Sequence, residues 1–148
     1  MDRKIVIIPT YNEKENIENI IRAVFALEGD YNILVIEDGS PDGTAAIVKR
    51  LQEEFSERLF MIERQGKLGL GTAYITGFKW SVEHKYDYIF EMDADFSHNP
   101  ADLPRLYEAC SRVKYFHSKH GPDIDRCVVG HNHSADRPVY HADAIAVS

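Results

Sequence analysis

Cysteine is scarce: Cys110 and Cys127 are the only two in 148 residues. They form no C-x-x-C pair and do not resemble a disulfide framework, so a cystine-stapled fold is set aside and a reducing compartment is the default expectation. Basic residues are also in deficit, with 17 Lys and Arg against 24 Asp and Glu and a formal net charge of -7. Lys49-Arg50 and Lys67 stand isolated. No nucleic-acid partner is expected of such a chain, because nothing offsets its repulsion from phosphate. Long apolar runs are missing as well. No window approaches the length of a transmembrane helix. The start Met1-Asp2-Arg3-Lys4 leads into a short apolar stretch interrupted by Pro9, so neither a secretory signal nor a bilayer span is expected. The histidines lack metal-ligand spacing: His131-Asn132-His133-Ser134-Ala135-Asp136 only loosely approaches a hydrolase motif, and His117 and His120 add no firm spacing.

What is present suits one globular domain, with 44% apolar and 28% charged residues. Short apolar runs alternate with helical patterns, which predicts an α/β fold with a single open, mostly parallel sheet flanked by helices. Strands are expected at Lys4–Ile8, Ile33–Ile36, Leu59–Ile62 and Tyr88–Met92. The first helix carries Ile17, Ile20, Ile21, Val24 and Phe25 at helical spacing, with Asn12 and Glu15 as a capping box and Gly29 as its end. The second carries Ile47, Leu51 and Phe55 on one stripe, with Asp42 as its cap. A third runs from about Gly71 to His84 and buries Tyr74, Phe78 and Val82, and a fourth lies near Leu103–Cys110. Residues 1–112 are thus expected to form one unit. The tail 113–148 has one strand candidate, Cys127–Val129, and otherwise no regular period.

Each polar cluster sits where a strand hands over to a helix, the edge at which open α/β sheets bind ligands. Asp93-Ala94-Asp95 follows the run Tyr88-Ile89-Phe90. A dry carboxylate costs several kcal/mol, roughly 2–7 even for a neutral polar group, so the pair belongs at an exposed strand end. There a hard divalent cation can share it with phosphate oxygens. Alone, a D-x-D is more simply a solvated turn. Pro9-Thr10-Tyr11-Asn12-Glu13 supplies a cap in Asn12, with Tyr11 as a flat surface for a base or ribose and Glu13 as an acceptor for hydroxyls. Asp38, in Asp38-Gly39-Ser40-Pro41-Asp42-Gly43, can accept from a nucleobase or ribose. The loop Gly66-Lys67-Leu68-Gly69-Leu70-Gly71 opens a helix where backbone N–H groups can meet phosphate. Neither a Walker loop nor a G-x-G-x-x-G fingerprint is present. A methyltransferase cofactor loop at Ile33–Gly39 lacks its second glycine.

Taken together and in order, the segments Pro9 to Glu13, Glu37 to Thr44, Lys67 to Tyr74 and Asp93 to Pro100 resemble the inverting family 2 glycosyltransferases of the A-type fold, and among them the dolichol-phosphate mannose synthases. The resemblance covers about Lys4 to Cys110. It implies GDP-mannose as donor, Mg or Mn as cofactor, and dolichyl or another polyprenyl phosphate as acceptor, used with inversion. It places the protein on the cytoplasmic face of a membrane (endoplasmic reticulum in a eukaryote), with a separate anchoring subunit as a further partner. By position, Pro9, Tyr11 and Glu13 would hold the nucleotide, Ile36 and Asp38 the base and ribose, and Ala94 would lie against the donor. Asp93 and Asp95 would ligate the metal and act as the catalytic pair. The alternatives are a nucleotide-sugar-binding fragment without transfer, or a UDP-glucose-dependent polyprenyl-phosphate glucosyltransferase.

The resemblance departs after the metal motif. Cys127-Val128-Val129-Gly130 stands where the family has another strand, but His131-Asn132 follows where the family has a small residue and then Arg. The chain is expected to be truncated relative to the family, and no acceptor-side residue is assigned.

Overall fold

The computed structural model describes residues 2–120, 127–131 and 138–142. Six strands form one sheet: β1 (Lys4–Thr10), β2 (Tyr31–Glu37), β3 (Leu59–Glu63), β4 (Tyr88–Glu91), β5 (Cys127–His131) and β6 (Pro138–Ala142). Their order is β3-β2-β1-β4-β5-β6. Neighbours from β3 through β5 pair in parallel, and β6 pairs antiparallel to β5. The helices are α1 (Ile17–Phe25), α2 (Thr44–Glu54), α3 (Leu70–Glu83) and α4 (Leu103–His120), the last preceded by a 3-10 turn at Pro100–Asp102.

The strands are nearly continuous apolar runs because helices cover both faces of the sheet. On one face Val6, Ile8, Ile33 and Val35 pack against Ile17, Ile20, Ile21 and Val24 of α1, Val48 and Leu51 of α2, and Leu103 and Leu106 of α4. On the other, Ile5, Ile7, Leu34, Ile36 and Ile89 pack against Ala73 and Phe78 of α3. Each such side chain is worth about 1.5–3 kcal/mol when fully buried. The division between faces follows from handedness. β1 to β2 to β3 steps outward one way, while β3 to β4 returns past β1, so a right-handed crossover places α3 on the opposite face.

Gly77 lets α3 come close. A Cβ built there would lie 2.7 Å from Ile7 Cγ2, so helix and central strand touch through a position without a side chain.

Several local expectations need correction. Asn12 does not cap α1. The helix starts at Ile17 after Asn16, because Glu13 O already accepts the N–H groups of Asn16 and Ile17 in a preliminary turn. Asn12 instead takes a left-handed φ of 54°, which Asn tolerates, and its N–H donates to Ser40 Oγ at 2.9 Å. Gly43, at φ 94°, occupies the cap position of α2. Asp42 acts one residue earlier, its Oδ1 accepting from the Thr44 amide and hydroxyl at 3.0 and 2.5 Å. Tyr74 and Val82 of α3 are only partly buried. Cys110, fully buried, is disulfide-bonded, against the expectation that neither cysteine belongs to a disulfide framework. Sequence spacing carries no distance, and α4 packs against β4 and β5. α4 runs through residue 112 to His120. The histidine cluster of residues 131–136 lies, apart from the backbone of His131, outside the described residues.

Candidate functional site

At β1 the sheet reverses its order of addition, with β2 on one side and β4 on the other. Two neighbouring crossovers leave by opposite faces here, which opens a crevice at the carboxyl ends of the strands. A cavity of about 320 Å³ fills that crevice. The exit of β1 supplies Pro9, Thr10, Tyr11 and Glu13, and that of β2 supplies Asp38. Lys67, Gly69 and Leu70 come from the β3–α3 connection, and Asp93, Ala94 and Asp95 follow β4.

Sequence reasoning named Pro9, Tyr11, Glu13, Ile36, Asp38, Asp93, Ala94 and Asp95, and the structure brings all but Ile36 to the cavity wall. Ile36 is fully buried in the core cluster under α3. Thr10, Gly69, Leu70 and Lys67 were not named as site residues. Lys67, Gly69 and Leu70 belong to the glycine-rich loop whose backbone N–H groups suit phosphate, and that loop is the signal for them.

Asp38 is held rather than free-standing. Arg64 grips it with two parallel bonds, Nε to Oδ1 at 2.6 Å and Nη2 to Oδ2 at 2.8 Å, in a pair whose side chains are 9% and 7% exposed. This fork geometry is the strongest form of carboxylate pairing, and the carboxylate beside it holds the Arg64 guanidinium firmly charged. Arg64 also donates to Thr72 Oγ1 at 3.0 Å and Gly69 O at 3.3 Å. It thereby ties the end of β2 to the start of α3. Gly39 and Gly66 complete the contact: a Cβ on Gly39 would stand 2.9 Å from Gly66 N, so the two loops meet backbone to backbone. On the β1 side, the Glu13 N–H donates to Thr44 Oγ1 at 3.1 Å. Buried Glu37 accepts from the Ser40 amide at 3.0 Å and from the Ser40 hydroxyl.

Asp93 Oδ1 accepts from the Tyr74 hydroxyl at 2.8 Å, and Asp93 Oδ2 lies 3.5 Å from Ser97 Oγ. Asp95 Oδ1 accepts from the Ser97 amide at 2.9 Å. The Ser97 hydroxyl and amide together hold the Asp95 carboxyl below the usual range. Glu91, at the end of β4, is pushed up to about 7 by burial and by the neighbouring Asp93. Burial, with Asp93 next, raises the Tyr74 hydroxyl far above its ordinary value, so it stays a proton donor.

Glu13, Asp38, Asp93 and Asp95 give the wall four carboxylates, against one lining cation, Lys67. Its Nζ lies 5.0 Å from the Tyr11 ring centroid. Such a wall accepts a polyanion when a cation accompanies it. Among the described residues no group of three or more His, Cys, Asp or Glu forms a metal cage. The carboxylates of Asp93 and Asp95 keep spare lone pairs, and such hard oxygen donors would suit an Mg²⁺-type ion. The donor set is all hard oxygen.

Comparisons with known proteins agree on the kind of site. The model of glycosyl transferase family 2 matches residues 5–136. Over 107 residues the chain is 46% identical to polyprenol monophosphomannose synthase of Mycolicibacterium smegmatis, covering 72% of this chain and 40% of that protein. It is 43% identical to undecaprenyl-phosphate mannosyltransferase of Micrococcus luteus, covering 72% and 44%. The chain therefore spans about two fifths of the length of these relatives. Among solved structures, a mannosyltransferase from Pyrobaculum calidifontis in complex with GDP-Man and Mn²⁺ aligns at TM-score 0.50 and 28% identity, covering 53% of this chain and 24% of that one. Staphylococcus aureus TarS aligns at TM-score 0.62 and 19% identity, covering 76% and 32%, a likeness of fold alone. The sheet and its flanking helices are those of an A-type glycosyltransferase, and this chain belongs to glycosyl transferase family 2.

Proposed function

We propose that this chain is the donor-binding part of a polyprenyl-phosphate mannosyltransferase that uses GDP-mannose and Mg²⁺ or Mn²⁺. The observation that carries the proposal is the Asp93–Asp95 pair lining the cavity at the switch point of the sheet, in a chain whose relatives bear mannosyl-transfer names. Tyr11 offers a ring to the nucleotide, Glu13 and Asp38 accept from its hydroxyls and base, and Ala94 lies against the sugar. Asp93 and Asp95 hold the divalent ion, which when bound supplies Lewis-acid relief of the charge on the departing diphosphate.

In the proposed reaction the bond from the anomeric carbon to the diphosphate breaks, its electron pair leaving with GDP. A bond from an acceptor phosphate oxygen forms at the opposite side of the same carbon, inverting it. That oxygen is already ionised at neutral pH, so no side chain need act as base, unlike the case of a sugar hydroxyl. The acceptor is dolichyl or another polyprenyl phosphate. The protein thus works at a membrane surface, reached through its lipid substrate or through an anchoring partner. Among the described residues no helix is long and apolar enough to cross a bilayer.

Calorimetric titration tests the donor half. GDP-mannose should bind in manganese, weaken at least tenfold in chelator, and bind no better than in chelator after Asp95→Ala. Tight binding indifferent to chelator would end the proposal. Because the chain spans two fifths of its relatives, a second reading is a donor-binding piece without transfer. Binding without radiolabelled mannose reaching polyprenyl phosphate would favour it.

A further inference from the structure

Tyr74 packs partly against the core on the α3 side of the sheet, yet its hydroxyl meets Asp93 Oδ1 at 2.8 Å. The other contact to Asp93, from Ser97 Oγ, is at the 3.5 Å limit and holds little. Asp95, by contrast, is fixed by the Ser97 amide within its own loop. Asp93 is therefore the member of the pair whose orientation comes from another element, and that element is α3. We infer that Tyr74 is a positioning residue for metal binding: its hydroxyl holds Asp93 in the rotamer that turns the remaining carboxylate lone pairs toward the cation. This rests on the reading of Asp93 and Asp95 as metal ligands given above.

Three features favour this over simple packing. A ligand carboxylate is oriented by its outer hydrogen-bond partner, and removing such a partner typically weakens metal binding by about 10–100-fold. The Tyr74 hydroxyl lies 2.8 Å from Asp93 Oδ1, and toward an acceptor-only carboxylate a hydroxyl is the donor. Tyr74 also lies one helical turn beyond Leu70 on the helix that opens at Gly69 and Leu70 of the cavity wall. A single rigid element thus sets both the phosphate-side loop and the angle of a metal-side carboxylate.

The test is Tyr74→Phe, which keeps the ring and removes the hydroxyl. Manganese affinity is read in the presence of GDP by electron paramagnetic resonance of the free ion, using this 148-residue chain. Tyr74→Phe should weaken manganese binding roughly tenfold while leaving the melting midpoint and the GDP affinity in chelator unchanged. In an Asp93→Asn background, read at raised manganese, the same change should cause no further loss. Unaltered manganese affinity in Tyr74→Phe overturns the inference, as does an undiminished loss in the Asp93→Asn background. Should Asp93→Asn and Asp95→Asn both leave wild-type manganese binding intact, the metal assignment itself falls, and the role of Tyr74 falls with it.

Discussion

Glu91 ends β4 two residues before Asp93, on the side of the sheet covered by α3, where its strand partner is Ile7. Burial and the nearby Asp93 raise its carboxyl to about 7. In the unfolded chain it releases its proton near the ordinary glutamate value. Between that value and about 7 the folded chain holds a proton that the unfolded chain has lost, so stability falls as pH rises through this window. The full contribution is present below the window and is gone above it. Glu91→Gln should flatten the corresponding slope when the chain is melted in chelator between about pH 4 and 8. A slope equal to wild type would place its origin elsewhere. Sequence alone could not foresee this group. Glu91 reads as the polar end of an apolar run, and only the packing of α3 shows that its carboxyl is largely out of water.

At the level of elements, the most constrained contact is α3 on β1. Gly77→Ala would bring a methyl group within 2.7 Å of Ile7 Cγ2 and 2.9 Å of its Cδ1. Both are branches of a fully buried side chain with nowhere to retreat. Overpacking of this kind costs about 1–3 kcal/mol, so the urea midpoint should fall with an unchanged slope. An unshifted midpoint would mean that the helix moves outward freely. Periodicity located α3 to within a residue at each end, because Tyr74, Phe78 and Val82 recur at helical spacing. It could not say that Gly77 touches a strand 70 positions earlier, since a pattern carries direction and not distance. The same gap explains Asn12. Residues 12 to 15 match a capping box, but the competing turn on Glu13 O moves the helix start to Ile17. Ile36 lies apart from the cavity wall for another reason: strand alternation turns it toward α3, while Glu37 and Asp38 close the strand beyond it. The carboxylate and loop residues were legible because strand ends and glycine-rich turns announce themselves in sequence. The pairings by which Arg64 holds Asp38 and Tyr74 holds Asp93 join separate parts of the chain, and no sequence pattern states such a partner.

For the molecule as a whole, the cavity wall draws on the ends of four strands, so a bound donor senses the folded state of the entire sheet. Ligand that binds only the folded chain stabilises it by about 2.7 kcal/mol at a hundredfold excess over Kd. GDP-mannose with manganese should therefore raise the unfolding free energy read from urea melts by that amount, moving the midpoint up in proportion, and donor in chelator should raise it far less. A midpoint indifferent to both would detach ligand binding from this edge. The surface ion pairs contribute little beside this, since Arg22, Glu18, Glu54 and Arg50 are all 34–59% exposed. The turns at Gly29–Asp30, Glu57 and Lys85, with their positive φ values, lead into β2, β3 and β4 at the end of the sheet opposite the cavity. A fluorophore attached at Glu57 would consequently report on the fold from a station remote from arriving nucleotide. Probes of assembly and probes of chemistry can then be mounted on one molecule without interfering.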